Sequence, residues 1–274
     1  METPKSAPER IDRNAPIISV RNLTLGYGDE VIIEKVSFDV YNGEIFGILG
    51  RSGCGKTTLF KAMIGLIEPW SGEIIVEGEP LALAAYDGSK ASLRRIGVLF
   101  QSGALFTSMT IAENVAFPLR MNTNLPNSII ERLVKIKLAE VGLAGYERLM
   151  PAELSGGMQK RAALARAMAL DPQILFFDEP SAGLDPVTSA ELDQTILKIN
   201  RTLGTTIIIV THELASIFSI AARVIMLDRD SKNIIAQGSP LALRDHSTDS
   251  RVQDFFRRSP EAREISENAR LSEG

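Results

Sequence analysis

A glycine-rich loop from Gly50 to Thr57 fits the pattern G-x-x-x-x-G-K-[ST]. The apolar run Ile45 to Leu49 precedes the loop and a helix-prone segment follows it, which is the strand, loop and helix context that this pattern requires. Backbone N–H groups and the helix N-terminus can surround phosphates, while the lysine reaches the β and γ phosphates and the last threonine holds Mg²⁺. We therefore predict nucleotide contacts from Gly50, Arg51, Ser52, Gly53, Cys54, Gly55, Lys56, Thr57 and Thr58.

Two adjacent acidic residues, Asp178 and Glu179, follow the apolar run Ile174 to Phe177. The run predicts a buried strand, and open parallel sheets place their chemistry at the carboxyl ends of their strands. There Asp178 could support a Mg²⁺ ion, and Glu179 could polarise the water that attacks a γ-phosphate. Two acids at this position more often form a solvated strand end, but downstream of a phosphate-binding loop we interpret them as a metal ligand and a general base.

The segment Leu154-Ser155-Gly156-Gly157 lies shortly before this acidic pair and resembles the signature of ABC-type ATPases. In that family the signature serine and glycines bind the γ-phosphate held by the opposite protomer. The resemblance therefore implies that Ser155, Gly156 and Gly157 act across a homodimer of ATPase subunits. The segment also opens a predicted helix, whose N-terminus favours an anion. Ordinary N-capping of that helix by Ser155 is a compatible interpretation.

Four further positions match the same family. Tyr27 lies where the family stacks an aromatic ring on adenine, and Asp185 lies in a segment that resembles the D-loop at the dimer interface. Gln101 matches a glutamine that senses Mg²⁺ and relays to the membrane partner, and His212 matches a histidine that contacts the γ-phosphate. Each residue alone would more often be structural, but the joint match covers roughly residues 16 to 243. The resemblance implies ATP and Mg²⁺ as cofactors, catalytic roles for Glu179, His212 and Gln101, and metal contacts from Thr57, Gln101 and Asp178.

One signature position departs from the common family pattern. Its usual glutamine is replaced by Met158, and Gln159 comes next. One residue on a helix corresponds to a rotation of about 100°, so Gln159 cannot take the place of the missing glutamine. The sequence Leu-Ser-Gly-Gly-Met is frequent in the lipid-trafficking branch of the family, so we interpret Met158 as a subfamily feature.

The pattern of apolar residues predicts an α/β fold, and the resemblance implies the P-loop NTPase fold of ABC ATPases. Continuous apolar runs near Ile45, Val98, Ile174, Ile207 and Val224 predict a mostly parallel sheet core. Alternating segments at 17–25, 31–40 and 72–78 predict an antiparallel β subdomain. An inserted α-helical subdomain is expected at about 102–165, where Ile129, Leu133 and Ile136 have helical spacing.

The chain ends suggest short extensions around one ATPase domain. We predict a disordered tail at 1–15, the ATPase domain at 16–243, and a partly disordered C-terminal extension at 244–274, because both ends are polar. Within the extension, Asp254 to Arg257 could dock on a neighbouring subunit, although packing on the chain's own lobe is the simpler interpretation.

Composition limits the function classes. The formal net charge of −4 over 274 residues gives no basic surface for nucleic acid. No stretch approaches the ~20 apolar residues of a membrane span, and the N-terminus lacks a secretory signal. We therefore expect the protein to work in the cytoplasm, and the family resemblance implies a peripheral position on the cytoplasmic face of the inner membrane. The single cysteine, Cys54, is interpreted as a small filler rather than a redox sensor, although Lys56 and a helix N-terminus could lower its pKa.

The segment from Phe100 to Arg120 is rich in Gly, Leu, Phe and Met, and predicts a soft apolar groove for a partner helix. About half of these residues fit a lobe core equally well. The segment resembles that of the Mla-type and Mkl-type ATPases, which work with MCE-domain proteins in phospholipid transport. This implies an integral membrane permease dimer and an MCE-domain substrate-binding protein as partners. Alternatives are an ABC ATPase of the cell-division type, one of an amino-acid importer, or a soluble regulator of ribosomes or DNA.

Overall fold

The computed structural model describes residues 15–81 and 95–257. The tail expected at 1–15 lies outside the described residues except for Ala15, as does the part of the C-terminal extension after residue 257. In chain order the strands are β1 (Pro16–Tyr27), β2 (Glu30–Tyr41), β3 (Ile45–Gly50), β4 (Ser71–Val76), β5 (Glu79–Pro80), β6 (Ile96–Leu99), β7 (Ile174–Asp178), β8 (Thr206–Val210), β9 (Arg223–Asp228) and β10 (Asn233–Gly238).

These strands form two sheets. The first is antiparallel and has the order β2-β1-β4-β5. The second has the order β10-β9-β3-β8-β7-β6, with only β10 antiparallel to its neighbour. The predicted parallel core and antiparallel β lobe are therefore confirmed.

The helices of the described residues are α1 (Lys56–Met63), α2 (Ile111–Asn122), α3 (Asn127–Glu140), α4 (Gly156–Ala167), α5 (Pro186–Leu203), α6 (Leu214–Ile220), α7 (Pro240–His246) and α8 (Ser250–Arg257). Helix α2 begins with a capping box, in which Thr110 accepts from the backbone N–H of Glu113 and Glu113 reaches back to Thr110. Helices α2 to α4 form the helical lobe between β6 and β7.

Alternating side chains of the parallel sheet enter two cores. In β8, Ile208 and Val210 pack with α1 and the antiparallel sheet, whereas Ile207 and Ile209 pack toward α2 to α5. A third apolar cluster joins β9 to α6 and α8 and buries Phe256, which is 1% exposed. The C-terminal segment that includes Phe256 thus packs on its own lobe, the simpler of its two interpretations.

The helix around Ile129 is confirmed, although two of the three apolar residues that indicated it are exposed. Helix α3 buries Ile130, Val134 and Leu138, while Ile129 and Ile136 are 37% and 51% exposed. Both sets of residues have helical spacing, so periodicity alone could not choose between them. Packing against α2 and α4 selects the face that lies one residue further along.

Candidate active site

The motif residues that follow the parallel strands meet at one edge of the sheet. Strands β3, β8, β7 and β6 are neighbours, and each ends in a loop that carries chemical groups. In this order the loops contain the glycine-rich segment, His212, Asp178 with Glu179, and Gln101. A cavity of about 680 Å³ opens there, lined by Ile32, Gly50, Arg51, Ser52, Gly53, Gly55, Lys56, Thr57, Thr58, Gln101, Asp178, Glu179, Val210, His212 and Phe255.

The glycine-rich loop has a backbone that few other residues could adopt. Gly50 has φ of 147°, and a Cβ there would lie 2.6 Å from the Leu227 carbonyl oxygen. Gly55 has φ of 100° and is the N-cap of α1, which has no side-chain cap. The first N–H groups of α1 can therefore donate to an anion. The Lys56 ammonium donates to the carbonyls of Gly50 at 2.8 Å and Arg51 at 3.2 Å.

Cys54 points away from the cavity and into the core. Its side chain is buried, and it is the one loop residue from Gly50 to Thr58 that does not line the cavity. Burial raises the pKa of its thiol, and the nearby Lys56 only partly offsets this. Lys56 does act to lower the pKa of the thiol, but desolvation of the thiolate is the larger effect and the net shift is upward. The filler interpretation agrees with this geometry.

Three oxygen donors suited to Mg²⁺ line the same cavity. They are the Thr57 hydroxyl, the Gln101 side-chain amide and the Asp178 carboxylate. Burial, followed by the negative charge of Glu179, raises the pKa of Asp178, while Lys56 acts in the opposite direction. A site with one carboxylate fits Mg²⁺, which commonly takes one or two carboxylates together with substrate phosphates.

Glu179 has a strained backbone and a side chain held at both oxygens. Its φ is 47°, which is uncommon for a residue other than glycine and often marks a functional site. Thr211 Oγ1 donates to Oε2 at 3.0 Å, and His212 Nδ1 lies 2.8 Å from Oε1. An ionised carboxylate only accepts hydrogen bonds, so Nδ1 carries the hydrogen in that state. Glu179 is thus oriented by the two residues that follow β8.

The signature-like segment lies outside this cavity. Ser155 is the N-cap of α4 and accepts from the backbone N–H of Met158 at 3.3 Å. Ser155 and Gly156 are exposed, whereas Gly157 is buried, and a Cβ there would lie 2.3 Å from Thr188 Cγ2. Within one chain, therefore, Ser155, Gly156 and Gly157 do not join the glycine-rich loop.

Gln159 has a local structural role. Its side-chain amide donates to the carbonyls of Pro151 and Leu154, each at 3.1 Å. These bonds fix the turn that leads into Ser155. Met158 instead packs partly buried against the apolar core of the helical lobe. The inference that Gln159 does not replace the missing glutamine agrees with this arrangement.

Two other candidate nucleotide contacts also lie outside the cavity lining. Tyr27 ends β1 and is 49% exposed. Asp185 is the N-cap of α5 and accepts from the backbone N–H groups of Val187 and Thr188, each at 3.1 Å. A capping function is therefore visible for Asp185, whereas its contact with a second subunit and the adenine contact of Tyr27 stay predictions.

The comparison with protein families identifies the family of the chain. The family described as ABC transporter matches residues 33–182, which include the glycine-rich loop, Gln101, the signature segment and Glu179. The chain belongs to the ABC transporter family. Like its relatives, this ABC ATPase couples ATP hydrolysis to transport as the ATP-binding subunit of a transporter.

Relatives of this ABC ATPase include two proteins named as the intermembrane phospholipid transport system ATP-binding protein MlaF. The Haemophilus influenzae protein is 43% identical over 89% of this chain and 91% of its own length. The Escherichia coli K12 protein is 42% identical over 88% of this chain and 89% of its own length. A Mycobacterium leprae protein named as the probable ribonucleotide transport ATP-binding protein mkl is 47% identical over 71% of this chain and 56% of its own length.

Solved structures have the same fold. The cbiO1 protein from Clostridium perfringens, part of the ABC transporter complex cbiONQ, has a TM-score of 0.77 and 28% identity, covering 92% of this chain and 99% of that one. The ATP-binding cassette MJ0796, solved as a post-hydrolysis dimer bound to ADP and Pi, has a TM-score of 0.71 and 27% identity, covering 81% and 98%. In the part of the ABC ATPase that the structure describes, no helix has the length and apolar character needed to span a membrane.

Sequence reasoning missed two residues at the site of this ABC ATPase and one buried amide in its helical lobe. Thr211 holds Glu179, and Phe255 on α8 lines the cavity although it is far away in sequence. Asn114 is fully buried, and its side-chain amide donates to the carbonyls of Phe106, Met109 and Thr110. Thr211, being adjacent to His212, could have been found from the sequence. Phe255 depends on long-range packing that no local pattern reveals, whereas the hydrogen-bond partners of Asn114 precede it by only four to eight residues.

Proposed function

We propose that two copies of this ABC ATPase bind two ATP molecules head to tail, and that ATP hydrolysis there powers phospholipid transport. In this arrangement each glycine-rich loop faces Ser155, Gly156 and Gly157 of the other copy. The observation that carries the proposal is the separation of these elements. The glycine-rich loop, Glu179 and His212 share a cavity, while the N-terminus of α4, which begins after Ser155, lies outside it. A second copy would supply the missing donors.

The residues of the cavity have distinct roles in this proposal. Lys56 would exchange the carbonyls of Gly50 and Arg51 for the β and γ phosphates. Thr57, Gln101 and Asp178 would hold Mg²⁺, which when bound neutralises charge on the phosphate oxygens. Glu179 would accept a proton from the attacking water, and His212 would keep its carboxylate oriented beside the γ-phosphate.

Tyr27 and Asp185 complete the proposed site. The ring of Tyr27 is exposed enough to stack on adenine, as the family resemblance implies. Asp185 would fix the start of α5 at the dimer interface. Because ATP supplies contacts across that interface that ADP lacks, nucleotide exchange would shift the equilibrium between open and closed dimers.

The phospholipid substrate is supported by the relatives named MlaF, which match nearly the whole chain. We infer a permease dimer in the inner membrane, an MCE-domain protein as a further partner, and a peripheral location on the cytoplasmic face. We infer that the segment after Gln101 forms the permease contact. Phe106 is 41% exposed there and packs on Phe117 at 4.9 Å between ring centroids, while Ile111, Val115 and Leu119 form lobe core.

A complementation experiment tests the shared site. Lys56→Ala should abolish tight ATP binding, and Ser155→Asp should keep the helix cap while placing a negative charge against the partner's phosphate. Each variant alone should be inactive. A mixed dimer would contain one intact site, made of the Ser155→Asp copy's phosphate loop and the Lys56→Ala copy's signature. Recovery of ATPase activity on mixing is expected, and no recovery despite mixed-dimer formation would contradict the shared site.

The Glu179→Gln variant tests the base. The amide keeps the shape of the carboxylate but cannot accept the proton, so ATP binding should persist while turnover falls by at least ~100-fold. The variant should also accumulate as an ATP-bound dimer in sedimentation velocity runs, whereas Lys56→Ala should stay monomeric. Ordinary turnover by Glu179→Gln would refute the assignment.

A further inference from the structure

Lys160 is a buried cation that contacts two functional loops. It lies on α4, the helix that begins after Ser155, and it is 7% exposed. Its ammonium donates to the backbone carbonyl of Gln101 and lies 3.5 Å from the backbone carbonyl of Glu179. One side chain thus joins the signature helix to the loop after β6 and to the loop after β7.

Burying this ammonium is energetically costly. Desolvation lowers the pKa of Lys160, although the negative charges of Glu213, Asp178 and Glu179 oppose the shift. Among the residues that the structure describes, its ammonium donates to backbone carbonyl oxygens rather than to these carboxylates. A buried cation satisfied in this way fixes the positions of the groups that accept from it.

The Glu179 carbonyl belongs to the strained residue. Its backbone N–H donates to the Val210 carbonyl at 2.8 Å, and its carbonyl also accepts from the Ala182 N–H at 3.2 Å. Lys160 therefore contributes to a set of contacts that holds the left-handed conformation at φ of 47°. Losing one of them would allow the backbone to relax and the carboxylate to move.

A second cation on α4 contacts the same loop after β6. Arg166 donates to the carbonyls of Gly103 at 2.9 Å and Ala104 at 2.7 Å. Since Lys160 donates to the Gln101 carbonyl, both ends of the segment 101–104 accept hydrogen bonds from side chains of α4. The loop after β6 is therefore expected to follow any displacement of the signature helix.

We propose that Lys160 is a positioning residue that makes the signature helix, the Gln101 loop and Glu179 move together. When the partner's nucleotide binds at Ser155, displacement of α4 reaches the base and the Gln101 loop of the same protomer through this ammonium. The inference rests on the roles proposed above for Glu179 and Gln101. Lys160 itself does not line the nucleotide cavity, so it acts through the groups it holds.

The test compares Lys160→Met, which removes the donors, with Lys160→Arg, which restores a cation with several donors. Lys160→Met should bind a fluorescent ATP analogue within about threefold of the parent, because the P-loop contacts stay intact. Its kcat should fall roughly 10- to 100-fold, since a small misplacement of a catalytic group has an effect of that size. Lys160→Arg should recover kcat to within about threefold of the parent. Lys198→Met, an exposed lysine on α5, is the matched control for charge removal and should behave like the parent.

Hydrogen exchange gives a readout independent of activity. In Lys160→Met, backbone amides of residues 100–106 should exchange faster than in the parent, while those of the loop 50–57 should be unchanged. A lowered melting temperature with normal kcat would show a merely structural residue and overturn the proposal, as would unchanged exchange in 100–106. If Lys160→Met does not fold, Lys160→Arg decides, because a folded but inactive arginine variant contradicts the proposal. Glu179→Gln is assayed in parallel. Ordinary turnover by that variant would show that the assigned base is wrong, which distinguishes this failure from failure of the Lys160 proposal.

Discussion

Asp193 on α5 is a buried carboxyl group whose ionisation should reduce the stability of the ABC ATPase. It is 5% exposed, and its Oδ1 has no hydrogen-bond partner among the residues that the structure describes. It lines a cavity of about 600 Å³ beside the main site, together with His212, Glu213 and Ser216. Burial raises its pKa from the ordinary 3.8 to about 6, with Ser216 opposing the shift and Glu213 adding to it.

The sign of the effect follows from proton binding. The folded pKa exceeds the unfolded one, so the folded state binds the proton more tightly. The protonated Asp193 carboxyl group gives its full contribution to stability below pH 3.8. This contribution is lost as pH rises toward about 6 and stays lost above that pH. The difference between these pKa values corresponds to at most ~3 kcal/mol, and solvent entering the cavity reduces it toward ~2 kcal/mol.

The Asp193→Asn variant should therefore be more stable than the parent at neutral pH. Urea unfolding should give it a free energy of unfolding ~2 to 3 kcal/mol higher at pH 7.5, and only ~1 kcal/mol higher at pH 4.5. Glu191→Gln, an exposed neighbour on the same helix, is the control and should show no such dependence on pH. A difference between Asp193→Asn and the parent that is equal at both pH values would refute the reasoning.

Two further predictions concern residues near the ends of functional loops. Cys54 is buried with a raised thiol pKa, so a disulfide reagent should label the folded protein far more slowly than the urea-unfolded protein, and equal rates would contradict its placement. Asp185→Ala should lower the free energy of unfolding because two N–H groups lose their acceptor, whereas Asp185→Asn keeps an acceptor and should lower it much less. Equal losses in both Asp185 variants would argue against the capping role.

The sequence predicted those parts of the site that depend on local order. Apolar runs identify strands, and the carboxyl ends of neighbouring parallel strands must share an edge. The placement of Lys56, Gln101, Asp178, Glu179 and His212 around one cavity therefore followed from motif order. The left-handed backbone at Glu179 was not predicted, because its N–H and carbonyl groups contact Val210 and Lys160, which are distant in sequence.

The missed features depend on tertiary contacts. Lys160 meets Gln101 across 59 residues, and Thr211 meets Glu179 across 32. Helix α3 has two apolar stripes that both fit a helical period, and only its neighbours decide that Ile130 rather than Ile129 is buried. The net rise in the Cys54 pKa could not be predicted, because burial, which the sequence does not report, outweighs the nearby lysine.

Purification of the Glu179→Gln variant with ATP from detergent-solubilised membranes of its native cell tests the central claim most directly. The variant should hold its complex in the ATP-bound state, and mass spectrometry identifies the proteins that remain bound. We predict a multispan permease together with an MCE-domain protein, and co-purifying phospholipid. A permease of another transport class, a cell-division protein, or only soluble partners would contradict the phospholipid-transport account.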